Sequence, residues 1–258
     1  MLKQKTLDGK NKISIAIERI QSFVPVEGYY LACSGGKDSI VLKKLTELAQ
    51  VKFDAHYSFT TIDPPELVKF IKQHHQDVVF DRPEMSFLKR LETRGFPTRQ
   101  GRWCCEELKE KHGGGRKLLT GIRWEESNDR SKRKLVESCY KDQSKTYVNP
   151  IIDWTENEIW EFVELYKLPY CELYDQGFKR IGCLFCPMNY YKRRVEECKR
   201  YPKYVKAFIN SFEKLYQLRK SQGNNSVDRW SSGEEMFYWW INSAPKKGDR
   251  KDQLHLFP

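Results

Sequence analysis

No stretch of this 258-residue sequence approaches the ~18 consecutive apolar residues that a membrane-spanning helix requires. Helical membrane spans are therefore not expected. The opening residues, "MLKQKTLDGKNKISIAI", hold no apolar segment followed by a small-residue cleavage site, so no secretory signal is expected and the cytoplasm is the default compartment. Internal repeats and low-complexity blocks are also missing, which argues against solenoid architectures and long disordered tracts. Acidic residues run short: 35 Asp+Glu face 46 Lys+Arg, a net charge of +11. That balance favours anionic partners, nucleotides or nucleic acid, with plain solubility as the alternative. A hydrophobic content of 39% against 31% charged residues describes a soluble globular chain, long enough for one sizeable core or a core with a small appendage.

The hydrophobic periodicity predicts helices over 12–24, 39–50 and 64–75, where Leu67, Val68 and Ile71 return to one face. It predicts short strands over 28–34, 51–59, 77–80 and 117–122, with 147–152 as an edge strand. Thr155 with Glu158 three residues later is a capping box that opens a helix over 154–168. The stretch 94–117, rich in Gly, Arg and Lys, reads as loop with one short helix. From 189 onward the chain reads as helical, basic and aromatic, down to a polar tail. Strands alternating with helices of about 10–12 residues predict an α/β domain with a mainly parallel sheet.

Between the first strand and the helix after it lies "SGGKDS", Ser34-Gly35-Gly36-Lys37-Asp38-Ser39. Glycines let a backbone approach an anion and expose its N–H groups, and the helix N-terminus adds partial positive charge. Lys37 supplies a full charge, and Ser34 and Ser39 supply hydroxyl donors. The spacing is neither that of a Walker A loop nor that of the dinucleotide G-x-G-x-x-G. The alternative is a glycine turn that merely precedes a helix. Asp63, in "TTIDPPE", reads as a nucleotide or metal contact or as a helix cap.

Eight cysteines are spaced unevenly. Cys104 and Cys105 are adjacent, and Cys183 and Cys186 form a C-x-x-C. An adjacent pair chelates one tetrahedral ion poorly, whereas an iron–sulfur cube offers its irons at separate corners. Zinc, free thiols and redox pairs remain open at this point. Cys33, at the strand end before the loop, reads as a buried thiol, with a sulfur-carrying role as the alternative.

The S-G-G-K-D-S run resembles the PP-loop of the N-type ATP pyrophosphatases. In that family the loop grips the pyrophosphate of ATP while the α-phosphorus is attacked. The CC…CxxC layout resembles adenylylsulfate (APS) reductases, members of the same phosphoadenylylsulfate (PAPS) reductase-like superfamily that carry a [4Fe–4S] cluster. "LLTGIRWEESNDRSKR" is similar to the superfamily's G-x-R-x-x-(D/E)-S segment, which places Gly121, Arg123, Glu126 and Ser127 on phosphate-contacting positions. The resemblance covers about 28–190 and implies an adenine nucleotide alpha hydrolase-like α/β fold. It also implies ATP with Mg²⁺ at Ser34, Gly35, Gly36, Lys37, Asp38, Ser39 and Asp63. Lys37 and Arg123 would serve in catalysis, and Cys104, Cys105, Cys183 and Cys186 would hold the cluster. The expected organisation is an N-terminal helix over 1–27, the nucleotide-binding domain over 28–190 and a basic helical extension over 191–258.

The sequence departs from the reductases at two places. Their loop is altered, whereas here it is complete. Their attacking cysteine stands in a C-terminal E-C-G-L-H motif, whereas this sequence ends "KGDRKDQLHLFP" and its last cysteine is Cys198. Both differences point to a relative that still uses ATP and transfers sulfur, with a sulfur-donor protein and a nucleic-acid acceptor, DNA or tRNA, as expected partners. "YYKRRVEECKRYPKYVKAFINSFEKLYQLRK" holds ten Lys/Arg among seven Tyr/Phe, a pattern that suits either a nucleic-acid surface or a helical layer with aromatic core positions. The competing functions are reduction of APS or PAPS, and a non-catalytic nucleotide- and nucleic-acid-binding module with a structural metal.

Overall fold

The computed structural model describes residues 2 and 9–243; the predicted polar tail lies outside them. The elements run α1 (Lys12–Ser22), β1 (Tyr29–Ala32), α2 (Lys37–Leu48), β2 (Phe53–Ser58), α3 (Pro65–His74), β3 (Val79–Asp81), α4 (Phe87–Arg94), α5 (Trp103–Cys105), β4 (Lys117–Leu119), β5 (Val136–Ser138), β6 (Thr146–Val148), α6 (Glu156–Leu165), α7 (Tyr191–Arg200), α8 (Pro202–Ser221) and α9 (Gly233–Asn242). They form two compact units. The first comprises Met1–Phe59, Pro65–Arg82 and Lys111–Ile181, and the second comprises Thr60–Pro64, Pro83–Glu110 and Gly182–Pro258.

The first unit holds a six-stranded sheet in the order β3-β2-β1-β4-β6-β5. Every neighbouring pair is parallel except β5 with β6. This is the mainly parallel α/β arrangement that the alternating pattern predicts. The predicted edge strand differs: Thr146–Val148 is interior, because Val136–Ser138 pairs antiparallel with it and takes the edge. Three residues of mixed polarity, two half-buried and one exposed, carry too little periodicity to announce that strand.

The core of the first unit gathers Leu31 from β1, Leu45 from α2, Ile71 from α3, Val148 from β6 and Phe162 from α6. Tyr29 is fully buried and its hydroxyl donates to the Ile20 carbonyl at 2.8 Å, which ties α1 to the sheet. The predicted capping box is present: the Thr155 side chain accepts from the Glu158 amide and the Glu158 carboxylate accepts from the Thr155 amide, fixing the start of α6. The sheet also carries a polar cluster. Arg116 forks onto Asp54 at 2.7 and 2.5 Å, and His56 sits between Asp54 at 2.5 Å and Asp81 at 3.0 Å.

The second unit is helical and has its own core, with Phe87, Trp103, Phe185, Phe208, Phe212 and Trp240 among its members. Helices α8 and α9 approach closely at Gly233, where a Cβ would lie 2.3 Å from the Glu213 backbone. The Gly233 amide donates to the Glu213 carboxylate at 2.7 Å. The aromatic residues of the basic stretch split from its charges: Phe208, Phe212 and Tyr216 are buried, while Lys199, Lys203, Lys206 and Lys214 face solvent. That is the distribution of an amphipathic layer. No helix among the described residues is long and apolar enough to cross a membrane.

Candidate functional site

The glycine loop belongs to the first unit. Strand β1 hands over at Cys33, whose amide pairs with the His56 carbonyl at 2.8 Å. Cys33 is buried, and burial pushes its thiol up, the environment of a core thiol. Gly35 then turns with φ +71°, and a Cβ there would meet Ile71 at 2.6 Å, so only glycine fits. Gly36 caps α2 with no side-chain hydrogen bond of its own; the Ser39 amide turns back onto the Gly36 carbonyl at 3.0 Å. Ser39 folds its hydroxyl back onto the Gly36 carbonyl at 2.8 Å and lies 3.3 Å from Ser34 Oγ.

Lys37 is 4% exposed. Its ammonium donates to the Lys179 carbonyl at 3.3 Å and lies 3.5 Å from Asp38 and 3.8 Å from Glu156. Its main-chain amide donates to the Tyr174 hydroxyl at 3.0 Å. Burial pushes the Tyr174 phenol up, so its oxygen is a neutral partner of the loop.

Arg123 reaches the loop from beyond β4. It is 2% exposed. Its Nε donates to Asp38 at 2.6 Å, and its Nη1 donates to Glu125 at 2.9 Å and to the Trp154 carbonyl at 3.2 Å. Burial works against its charge, and the Asp38 and glutamate carboxylates more than offset that, holding the guanidinium above its ordinary value. The ion pairs of Arg123 are thus those of a buried guanidinium. A Cβ on Gly121 would lie 3.1 Å from the Asp38 backbone, Glu126 accepts from the Arg123 amide at 3.0 Å, and Ser127 Oγ accepts from the Arg130 amide at 3.2 Å.

All four predicted metal-ligating cysteines belong to the second unit. Trp103 is buried, stacked on Phe87 at 5.2 Å and hydrogen-bonded to the Gly95 carbonyl at 3.1 Å, and it anchors the Cys104-Cys105 pair. The two thiols share a hydrogen bond that pushes Cys104 up and pulls Cys105 down. The charges of Cys183 and Cys186 also act on Cys104. A π-turn over Glu106–Glu110 follows and carries Lys109, whose ammonium hydrogen-bonds to Cys183. Cys183 is the largest influence holding the Lys109 ammonium above the ordinary lysine value.

The C-x-x-C turn is built around Phe185. Its φ is +55°, a conformation that costs about 1–2 kcal/mol outside glycine. Its amide donates to Glu197 at 2.7 Å, and its buried ring meets Phe208 edge-on at 5.0 Å. Thr60 Oγ1 donates to Cys183 at 3.4 Å, and Cys183 lies 3.9 Å from Asp63 Oδ1. Asp63 also accepts the Thr60 amide at 2.8 Å, so this predicted nucleotide contact groups with the cysteines.

Among the described residues, no three His, Cys, Asp or Glu side chains converge tightly enough to hold one metal ion. A cube does not ask for that convergence, since each thiolate serves its own iron. Four thiols within electrostatic reach, with Lys109 beside Cys183 to offset thiolate charge, are a donor set that fits a [4Fe–4S] cluster. Lys109 and Tyr174 escaped the sequence reading. Lys109 lies four residues after Cys105, one helical turn, which is the signal that was available; Tyr174 carries none.

A parallel α/β sheet with a glycine loop opening the helix after its first strand defines a nucleotide-binding protein. The chain belongs to the phosphoadenosine phosphosulfate reductase domain family, whose model matches residues 28–189. It is 31% identical to an adenosine 5'-phosphosulfate reductase of Shouchella clausii over 192 residues, 69% of this chain and 78% of that protein. It is also 31% identical to an uncharacterized protein of Methanocaldococcus jannaschii over 232 residues, 80% of this chain but only 55% of that longer protein. A phosphoadenylyl-sulfate (PAPS) reductase from Candida auris superposes with a TM-score of 0.53 at 17% identity, over 70% of this chain and 92% of that one. The fold expected from the sequence is thereby shown.

Proposed function

We propose that this protein uses ATP to adenylylate an acceptor oxygen and then replaces that oxygen with sulfur. The observation that carries the reading is the glycine-capped N-terminus of α2 with Lys37 at its first turn, its leading amide held by the neutral Tyr174 hydroxyl that an anion can displace, in a complete S-G-G-K-D-S loop. The acceptor oxygen attacks the α-phosphorus, the bond to the bridging oxygen breaks, and pyrophosphate leaves with the electron pair. Lys37 and the first amides of α2 stabilise the charge that develops on it. Arg123 holds Asp38, and with it the start of α2, in place. Mg²⁺ travels with the triphosphate and screens it. The terminal sulfur of a donor protein's persulfide then attacks the activated carbon and AMP leaves with the oxygen; a second thiol cleaves the resulting disulfide, leaving the sulfur on the acceptor and the donor oxidised to a disulfide.

Cys104, Cys105, Cys183 and Cys186 would hold a [4Fe–4S] cluster, which when bound supplies a centre for holding or delivering sulfur. The solvent-facing lysines of α7 and α8 suit a polyanionic acceptor, tRNA or DNA. A second reading, reduction of adenylylsulfate, is favoured by the name of the Shouchella relative. The deciding assay incubates the anaerobically purified full chain with labelled ATP and tRNA or DNA. Acceptor-dependent release of pyrophosphate and AMP supports the proposal. Sulfite formed from adenylylsulfate without ATP turnover replaces it with the second reading.

A further inference from the structure

Arg194 sits on α7, eight residues beyond Cys186, and is 1% exposed. Its guanidinium carbon lies 4.3 Å above the Trp240 ring. Its Nε and Nη2 are buried and have no hydrogen-bond partner. A buried cation in this state is costly unless an anion stands near it. Glu197, three residues on, acts on it through charge, but its hydrogen bonds go elsewhere: to the Phe185 amide at 2.7 Å, Arg193 at 2.9 Å and Asn189 at 3.3 Å. Burial pushes the Arg194 guanidinium down to about 10, opposed first by Cys186 and then by Cys198 and Glu197. Trp240 belongs to the core against which Cys104 and Cys183 pack, so Arg194 lies on the side of the proposed metal ligands. Four thiolates around a [4Fe–4S] core leave a net negative group that needs both charge balance and N–H donors to its sulfurs.

We infer that Arg194 is the counter-cation of the cysteine-held cluster, a positioning residue whose two unpartnered N–H groups face that anionic group and tune its affinity and potential. The inference rests on the cluster reading above. Without the cluster, Arg194 is an unbalanced buried charge that weakens the fold. With it, Arg194 stabilises the more negative, reduced form and raises the potential.

The test uses the full chain purified anaerobically as wild type, Arg194→Met and Arg194→Lys. Met keeps a soft apolar contact on Trp240 and removes the charge; Lys keeps the charge with different donors. Three quantities are measured: the reduction potential, the rate of iron loss to a chelator, and the urea midpoint of the iron-free protein. The expected result for Arg194→Met is a more negative potential, iron loss faster by about tenfold, and an iron-free midpoint equal to or above that of wild type. Arg194→Lys should bring the potential back toward the wild-type value. An unchanged potential and unchanged iron loss in Arg194→Met, with wild type fully loaded, overturn the role of Arg194 alone. So does an iron-free Arg194→Met protein that is less stable or fails to fold, because the charge would then be satisfied within the protein itself. A wild-type chain that binds no iron and sulfide overturns the cluster, and Arg194's role with it.

Discussion

The amide of Lys37 and the hydroxyl of Tyr174 are hydrogen-bonded at 3.0 Å, so a phenol oxygen stands where a helix N-terminus would otherwise meet a phosphate oxygen. The same hydroxyl lies 3.3 Å from where a side chain on Gly36 would begin. Nucleotide entering the loop has to displace this oxygen or share the amide with it.

Replacing Tyr174 with Phe removes the competing oxygen and keeps the ring. One neutral hydrogen bond contributes about 1 kcal/mol, so ATP should bind up to about fivefold more tightly. Equilibrium titration with nucleotide measures this. Weaker binding by Tyr174→Phe would mean that the hydroxyl contacts the nucleotide directly.

Lys37→Gln keeps a side chain of comparable length without the charge. A hydrogen bond to a charged group contributes about 1.5–3 kcal/mol, which predicts ATP affinity lower by roughly 10- to 100-fold. Circular dichroism should show an unchanged fold. Wild-type affinity in this variant would remove the loop from the nucleotide site.

Serine at Cys104, Cys105, Cys183 or Cys186 should lower iron and sulfide per chain and bleach the absorbance near 400 nm. Cys139→Ser, in the first unit, should leave both unchanged. Iron retained by all four ligand variants would contradict the assignment.

Asp54 is held below the usual carboxylate range, chiefly by its hydrogen bonds from Arg116. A depressed carboxyl stabilises the fold above its unfolded pKa of about 3.9, and that contribution disappears as pH falls through the lower folded value. The Asp54 side chain is 40% exposed, so solvent screening limits the effect to about 1 kcal/mol or less. Asp54→Asn should therefore melt slightly below wild type at neutral pH and match it in acid. A difference that grows in acid would reverse the sign of this coupling.

Gly233→Ala places a methyl against the Glu213 backbone, where neither helix can yield without moving. Overpacking of this kind costs about 1–3 kcal/mol. The urea midpoint should fall with the slope unchanged, and an unaltered midpoint would mean that α9 shifts freely.

Much of the first unit was readable in the sequence because its signals are local. Alternation announces β2, one apolar face announces α3, and Thr155 with Glu158 announces α6. Helix α4 was not read, although Ser86 caps it, because an eight-residue segment offers only two turns of periodicity. The loop and the four cysteines were legible as motifs, since spacing alone carries them. Tyr174 and Arg194 were not. Tyr174 meets Lys37 across 137 residues, and Arg194 stands out only through burial without a partner, a property that no spacing encodes.

The second unit is assembled from Thr60–Pro64, Pro83–Glu110 and Gly182–Pro258, three separate lengths of chain. Cys104 and Cys105 therefore leave the ribosome long before Cys183 and Cys186, and before α7, α8 and α9 exist to enclose them. During synthesis the early pair has no partners and stands open to oxygen and stray metals. Loading of any inorganic centre belongs to the finished polypeptide, and the cell has to keep two neighbouring thiols reduced until then.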